Sequence, residues 1–429
     1  MKTTQLQKAS SWEEVCKRPS LPINELNEKV NQIIEEVKLN KDRSLISYAK
    51  LFDKADLKSI AVTKEEIELA ILKVPTQLMN AIDLARKNIT SFHESQRYEE
   101  KIIETAPGVF CWRKSVGIES VGLYIPGGTA PLFSTVLMLG IPAILAECKN
   151  IILCTPPNKN GEINPVILYT ANLLGIKNIY KVGGAQAIAA MAYGTETIKP
   201  VSKIFGPGNQ YVTKAKEIVL KDGLAIDMPA GPSEVLVIAD SSCVPSFVAA
   251  DLLSQAEHGY DSQVVLLTND STIVDKVNNE IKLQLESAPR RDVILKSLMN
   301  SKSYVCESIE DCFLISNKYA PEHLIIASKT PDNYLSLIVN AGSVFVGNLS
   351  CESAGDYASG TNHTLPTNGY AKNYSGVSLD SFVRKITFQK LNQTGIESIG
   401  PAIEVMAEAE QLFAHKNAVS IRLKSFENV

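Results

Sequence analysis

Histidine is scarce in this chain, with five in 429 residues, and tryptophan scarcer, with two. Cysteine is present but unpatterned. The eight cysteines stand at irregular spacings with no Cys-x-x-Cys, which argues against a cysteine-built metal knot or a disulfide framework; they read as buried thiols. No segment is of low complexity and no internal repeat is visible. The charge balance, 43 basic against 47 acidic residues, gives no reason to propose a nucleic-acid partner. The first ten residues hold no apolar core and no cleavage signature, so no signal peptide is expected and a cytoplasmic location is. One long run lacks charge, Val121 to Ala146, and it is long enough to span a bilayer. Gly122, Pro126, Gly127, Gly128, Pro131, Gly140 and Pro142 would break a spanning helix repeatedly, so the run reads instead as a buried strand, a turn and a buried helix.

What is there is ordinary globular material, 45% hydrophobic and 21% charged, in a chain too long for a single core. Two or more domains are expected. In the middle of the chain, apolar strands at 121–125, 151–155, 179–182 and 204–205 alternate with helices at 131–139, 165–174, 184–191 and after 209. A second series follows residues 229–232. It has strands at 234–238, 264–267, 324–327 and 343–346, and helices at 245–256, 271–286 and about 307–319. Strand and helix in alternation predict an α/β fold with open parallel sheets covered on both faces. The first 110 residues read as mostly helical, and 401–415 as one amphipathic helix.

Four of the five histidines fall in polar clusters. Gln255 and His258 are three apart at the end of a helix, on one face and at the negative end of its dipole. Glu322-His323 follows Pro321 at the start of a strand, where both side chains can reach one cleft and divide acid and base work. The stretch 348–367 is a long polar loop carrying Asp356, Asn362 and His363, and long ordered loops are usually functional. Glu410 and His415 lie near the C-terminus. Taken one at a time, the first two pairs are better explained by a capping histidine with a solvated glutamine, and by a surface glutamate with a packed histidine. Together they are what a zinc site with an acid–base pair requires.

Three glycine turns, Tyr124-Ile-Pro-Gly127-Gly128, Gly183-Gly184-Ala-Gln186 and Gly206-Pro-Gly208-Asn209, each join a strand to a helix. Amides at a helix N-terminus suit phosphate. None is the six-residue dinucleotide fingerprint, and each also serves as a plain tight turn. No cysteine has a base beside it, so Cys111, Cys148 and Cys351 carry no case for a thiol nucleophile. Three classes of function remain open on these residues: a zinc- and nucleotide-dependent dehydrogenase, a zinc hydrolase using Glu322 on a metal-bound water, and a silent nucleotide-binding scaffold.

Over nearly its whole length the chain resembles the histidinol dehydrogenase family. The resemblance is carried by Gly122-Leu-Tyr124-Ile-Pro-Gly-Gly, Gly183-Gly-Ala-Gln186, Gly206-Pro-Gly-Asn209, Asp227-Met-Pro-Ala-Gly-Pro-Ser233-Glu, Gln255-Ala-Glu-His258-Gly, Ala320-Pro-Glu322-His323 and Asp356-Tyr-Ala-Ser-Gly-Thr-Asn-His363. It implies oxidation of L-histidinol to L-histidine with two NAD⁺ and one water. It implies a zinc ion held by Gln255, His258, Asp356 and His415, and His323 and Glu322 as the catalytic pair. It implies substrate contacts from Ser233, His363 and Glu410 as well as from the ligands, and cofactor contacts from Tyr124, Gln186 and Asn209. The implied architecture is two Rossmann-like domains with small extensions. They are residues 1–20 as an N-terminal extension, 21–120 with 234–377 as a discontinuous domain carrying most site residues, and 121–233 as the NAD-binding domain. Residues 378–429 form a tail that reaches the partner subunit of a homodimer.

Overall fold

The computed structural model of the protein describes residues 1–5, 12–18, 23–127, 131–229 and 231–427; Gly128 of the first glycine turn lies outside them. Two parallel sheets organise the chain. The first runs from edge to edge as Asn178–Lys181, Asn150–Thr155, Ser120–Tyr124, Lys203–Phe205 and Ala225–Ile226. Its side chains alternate between two cores: Ile152, Cys154 and Ile204 enter one, and Val121, Leu123, Leu153 and Phe205 the other. Both faces are therefore buried, which is why these strands read as continuous apolar runs. The helix Phe133–Leu145 is buried on every side from Ser134 to Ala143, which accounts for the uncharged run around it. Among the described residues no helix is long and apolar enough to cross a membrane.

The second sheet runs Lys2–Gln5, Lys302–Val305, Gln263–Thr268, Glu234–Ala239, His323–Ala327 and Ser343–Val346, again all parallel. Apart from its N-terminal strand it is wound like the first: the earliest strand is central, the next two lie to one side and the last two to the other. In such sheets the order reverses beside the first strand, and a crevice opens there at the carboxyl ends. The first sheet obeys this rule, with Tyr124 and the Gly206–Asn209 turn flanking its reversal.

Several elements depart from the sequence reading. Helices within residues 23–94, grouped on the sequence with the later sheet, pack on the helices of the first one. The reading of the first 110 residues as mostly helical missed a third, antiparallel sheet, made of Ile103–Ala106, Val109–Gly117 and Val383–Leu391. Its strands are half-exposed on both faces, so neither a clean alternation nor an apolar run marks them. The single helix expected at 401–415 is instead a hairpin of Gln393–Ala409 and Phe413–Glu427. Gln411, in the left-handed region at φ 59°, ends the first helix, and Pro401 sits inside it. The loop at 348–367 contains a short helix, Glu352–Tyr357.

Candidate active site

Five elements of the second sheet deliver polar side chains to one place, at the amino ends of its strands. The helix Ile309–Tyr319 is capped by the Ser308 hydroxyl and stopped by Ala320, left-handed at φ 53°, followed by Pro321. That stop sets Glu322 and His323 at the start of the next strand. Both are buried, and Glu322 Oε2 lies 3.5 Å from His323 Nδ1.

The neighbouring strand holds both through main-chain atoms of a single residue. Glu322 Oε2 accepts from the Glu234 amide at 2.9 Å. His323 Nδ1 lies 3.2 Å from the Glu234 carbonyl. A carbonyl can only accept, so Nδ1 carries a proton, and Nε2 presents a lone pair when the ring is neutral. Nε2 is buried and has no hydrogen-bond partner, facing Asp356 Oδ1 at 3.7 Å. Burial pushes the His323 pKa down, but Glu322, Glu352 and Asp356 outweigh it and hold the ring well above its ordinary value.

Gln255 ends the helix Pro245–Ala256 and is fully buried. Its amide nitrogen donates to Glu322 Oε2 at 3.3 Å, and its Oε1 is buried without a partner. His258, one turn on, is exposed, and its ring closes with Glu352 and Asp356 into a group whose ligand atoms all lie within 4.8 Å of one another. Burial drives the Glu352 pKa up strongly. For Asp356 burial also acts upward, but His323, His363 and His258 outweigh it and leave the pKa low. An imidazole, an amide oxygen and carboxylates around buried, unpartnered atoms are a donor set that zinc accepts.

His363 is fixed by its Nδ1, 3.0 Å from the Asp356 carbonyl, and by its Nε2, 3.1 Å from Thr135 Oγ1 on the helix Phe133–Leu145. Its neighbour Asn362 donates to the Met138 carbonyl on that same helix, at 2.6 Å. The cluster therefore sits between the amino edge of one sheet and the unit built on the other. Ser233 directly precedes Glu234. His415 and Glu410 lie on the C-terminal hairpin, whose main contacts are between its own helices and with the antiparallel sheet; within one chain His415 is not part of the metal-ligating group.

At the carboxyl edge of the first sheet, the buried Tyr124 hydroxyl accepts from the Gly184 amide at 3.1 Å, fixing the second glycine turn. Gln186 is buried in the first turn of the helix that begins there. Asn209 caps the helix Gln210–Lys221, its Oδ1 accepting from Tyr211 and Val212 amides. Gly206 has φ 130°, and a Cβ there would meet the Tyr124 carbonyl oxygen at 2.1 Å, so only glycine lets these two turns approach.

Four participants escaped the sequence reading: Arg18, Glu234, Tyr319 and Glu352. Arg18 donates twice to Glu234, at 2.6 and 3.1 Å, and stacks on Tyr319, whose hydroxyl also reaches Glu234 at 3.0 Å. A charge opening the otherwise apolar strand Glu234–Ala239 was the available signal. Glu352 and Asp356, four apart, were a second one, since that spacing sets both on one helical face. Arg18→Met is expected to cost about 3–5 kcal/mol of folding stability by stranding the Glu234 carboxylate. Urea denaturation measures it. Adding Glu234→Gln should recover much of the loss, and a double variant as unstable as the single one would mean that the pair does not act as a unit.

A family model described as histidinol dehydrogenase matches residues 16–423. A histidinol dehydrogenase of Bacteroides fragilis is 58% identical over 424 residues, covering 99% of each chain. One from Pasteurella multocida is 50% identical over 408 residues, covering 95% of this chain and 94% of its own. The crystal structure of histidinol dehydrogenase from Elizabethkingia anophelis superposes with a TM-score of 0.97 at 60% identity, over 100% of this chain and 99% of that one.

Proposed function

Because the chain belongs to the histidinol dehydrogenase family, and is thus an oxidoreductase of the last step of histidine biosynthesis, we propose how its residues divide the work. Gln255, His258 and Asp356 hold a zinc ion with His415 of a second copy of the chain. His323 and Glu322 carry out the proton transfers. The observation that carries this reading is the pair of buried, unpartnered atoms, Gln255 Oε1 and His323 Nε2, beside a ligand group spanning 4.8 Å. Native structures seldom leave such atoms unsatisfied unless something binds there.

Bound zinc would supply a fixed positive point for the substrate's nitrogens, and NAD⁺ a hydride acceptor for each of two oxidations. His323 Nε2 takes the hydroxyl proton as the alcohol becomes the aldehyde. Glu322 keeps Oε2 on the Glu234 amide, which leaves Oε1 to draw a proton from the water that attacks the aldehyde. His323 returns its proton to the aldehyde oxygen as the hydrate forms, and takes a proton again as the hydrate is oxidised. Ser233, His363 and Glu410 line the substrate's binding site; the ring nitrogens of His363 are already engaged, so it shapes the wall instead of exchanging protons. Tyr124, Gln186 and Asn209 receive the cofactor at the crevice of the first sheet, where a dinucleotide is favoured by topology.

His415 and Glu410 reach the site from the partner of a homodimer. What supports this is their place on a hairpin that exposes Val405, Met406, Leu412 and Phe413, at 68, 65, 43 and 63%. Such a face needs an apolar cover.

The test is the NADH formed per L-histidinol consumed, with and without a chelator. The reading expects about two, lost on chelation and restored by Zn²⁺. One NADH would remove the role given to Glu322, and full activity in chelator would remove the metal.

A further inference from the structure

The metal reading above draws one ligand from a second chain, yet this chain alone gathers more donors than it then uses. Glu352 is the surplus. Its side chain is 1% exposed, and neither a cation nor a hydrogen-bond donor reaches its Oε2. Its carboxylate lies within 4.8 Å of the ligand atoms of both His258 and Asp356. Glu352 and Asp356 lie on the short helix Glu352–Tyr357, which packs along the helix that ends in Gln255.

Two plain structural roles fail for this residue. Glu352 does not cap its helix, because it stands one residue inside the N-cap, Cys351, where no side-chain cap hydrogen bond is made. Nor does it act as a neutral acid donating a hydrogen bond from Oε2, because no acceptor lies within reach of that atom. A buried carboxylate oxygen with no hydrogen-bond partner is a place for a cation.

We propose that Glu352 is a metal ligand, completing with Gln255, His258 and Asp356 a four-donor set within one chain that takes up a divalent cation before a second chain contributes. The inference rests on the reading of this cluster as the zinc site. Charge supports it. With Glu352 the set has two carboxylates and balances a 2+ ion; the set that uses His415 in its place has one. The exposed ring of His258 leaves the group open on one side, so a cation has a way in and a partner's side chain has a way to join afterwards. Glu352 is then a loading ligand, and His415 adds to the set when the dimer closes.

The experiment is Zn²⁺ affinity by competition with a fluorescent chelator, and the Zn²⁺-dependent rise in Tm, on full-length wild type, Glu352→Gln, Glu352→Asp and His415→Asn. Glu352→Gln should bind Zn²⁺ about 10- to 100-fold more weakly. It should also lose much of the Zn²⁺-dependent rise in Tm, while its Tm in chelator is no lower than that of the wild type. His415→Asn should bind Zn²⁺ more weakly than wild type but more tightly than Glu352→Gln. Zn²⁺ affinity unchanged in Glu352→Gln overturns the inference alone; no Zn²⁺ binding by the wild type overturns the metal reading beneath it. An affinity in His415→Asn as low as in Glu352→Gln overturns the in-chain set. If the amide variant is unstable even in chelator, Glu352→Asp decides: weak Zn²⁺ binding with a normal metal-free Tm supports ligation, and wild-type binding refutes it.

Discussion

Glu322→Gln is expected to yield an enzyme that oxidises the alcohol and stops at the aldehyde. The glutamine oxygen can still accept from the Glu234 amide, so the neighbouring ring keeps its place. What is lost is a group able to take a proton from water, and removal of a general base costs about 10²- to 10⁴-fold. The whole of that loss should fall on the second half-reaction, and NADH formed per histidinol should drop from about two to about one. The alcohol step should also change its pH dependence. Glu322 helps hold the His323 pKa above its ordinary value, so removing the charge lowers that pKa and the base becomes available at lower pH. The acidic limb of the alcohol step should move down. His323→Ala, by contrast, should suppress both steps. Equal loss of both half-reactions in Glu322→Gln would contradict the division of roles.

Mixing two dead variants should restore activity if the site is shared. His323→Ala spoils the half of the site built on the parallel sheet, and His415→Asn the half on the C-terminal hairpin. In a mixed dimer, one site collects both lesions and the other collects neither. Random exchange of subunits makes about half of the dimers mixed, so about a quarter of wild-type activity should return from two preparations that have almost none. Activity that stays at background, in a sample shown by mass to contain mixed dimers, would mean that His415 serves its own chain.

Much of the fold was legible because burial on both faces writes itself as unbroken apolar runs. The strands at 234–239 and 264–267 and the helix 245–256 were read almost to the residue. Where an element is exposed on both sides the sequence carries no such imprint, and the ribbon of 103–117 with 383–391 went unseen. Candidate site residues were legible for a different reason. Side chains suited to chemistry, such as those of His258 and His323, belong to rare types and stand out. Residues that position them do not: Glu234 looks like the edge of a strand, and Arg18, 216 residues away in sequence, has nothing to connect it to its partner. Local spacing could have exposed Glu352 beside Asp356, but no spacing rule reaches from Arg18 to Glu234.

Glu322 and His323 are anchored on the main-chain atoms of residue 234, not on its side chain. An anchor of that kind is inherited with the backbone. Most substitutions at 234 would disturb packing and the Arg18 contact yet still present an amide to Glu322 and a carbonyl to His323. Only proline deletes the amide, and no encoded residue deletes the carbonyl. The alignment of Glu322 and His323 is thus largely shielded from point mutation, and drift in the sequence can retune charge and shape around the pair while the pair itself stays in register.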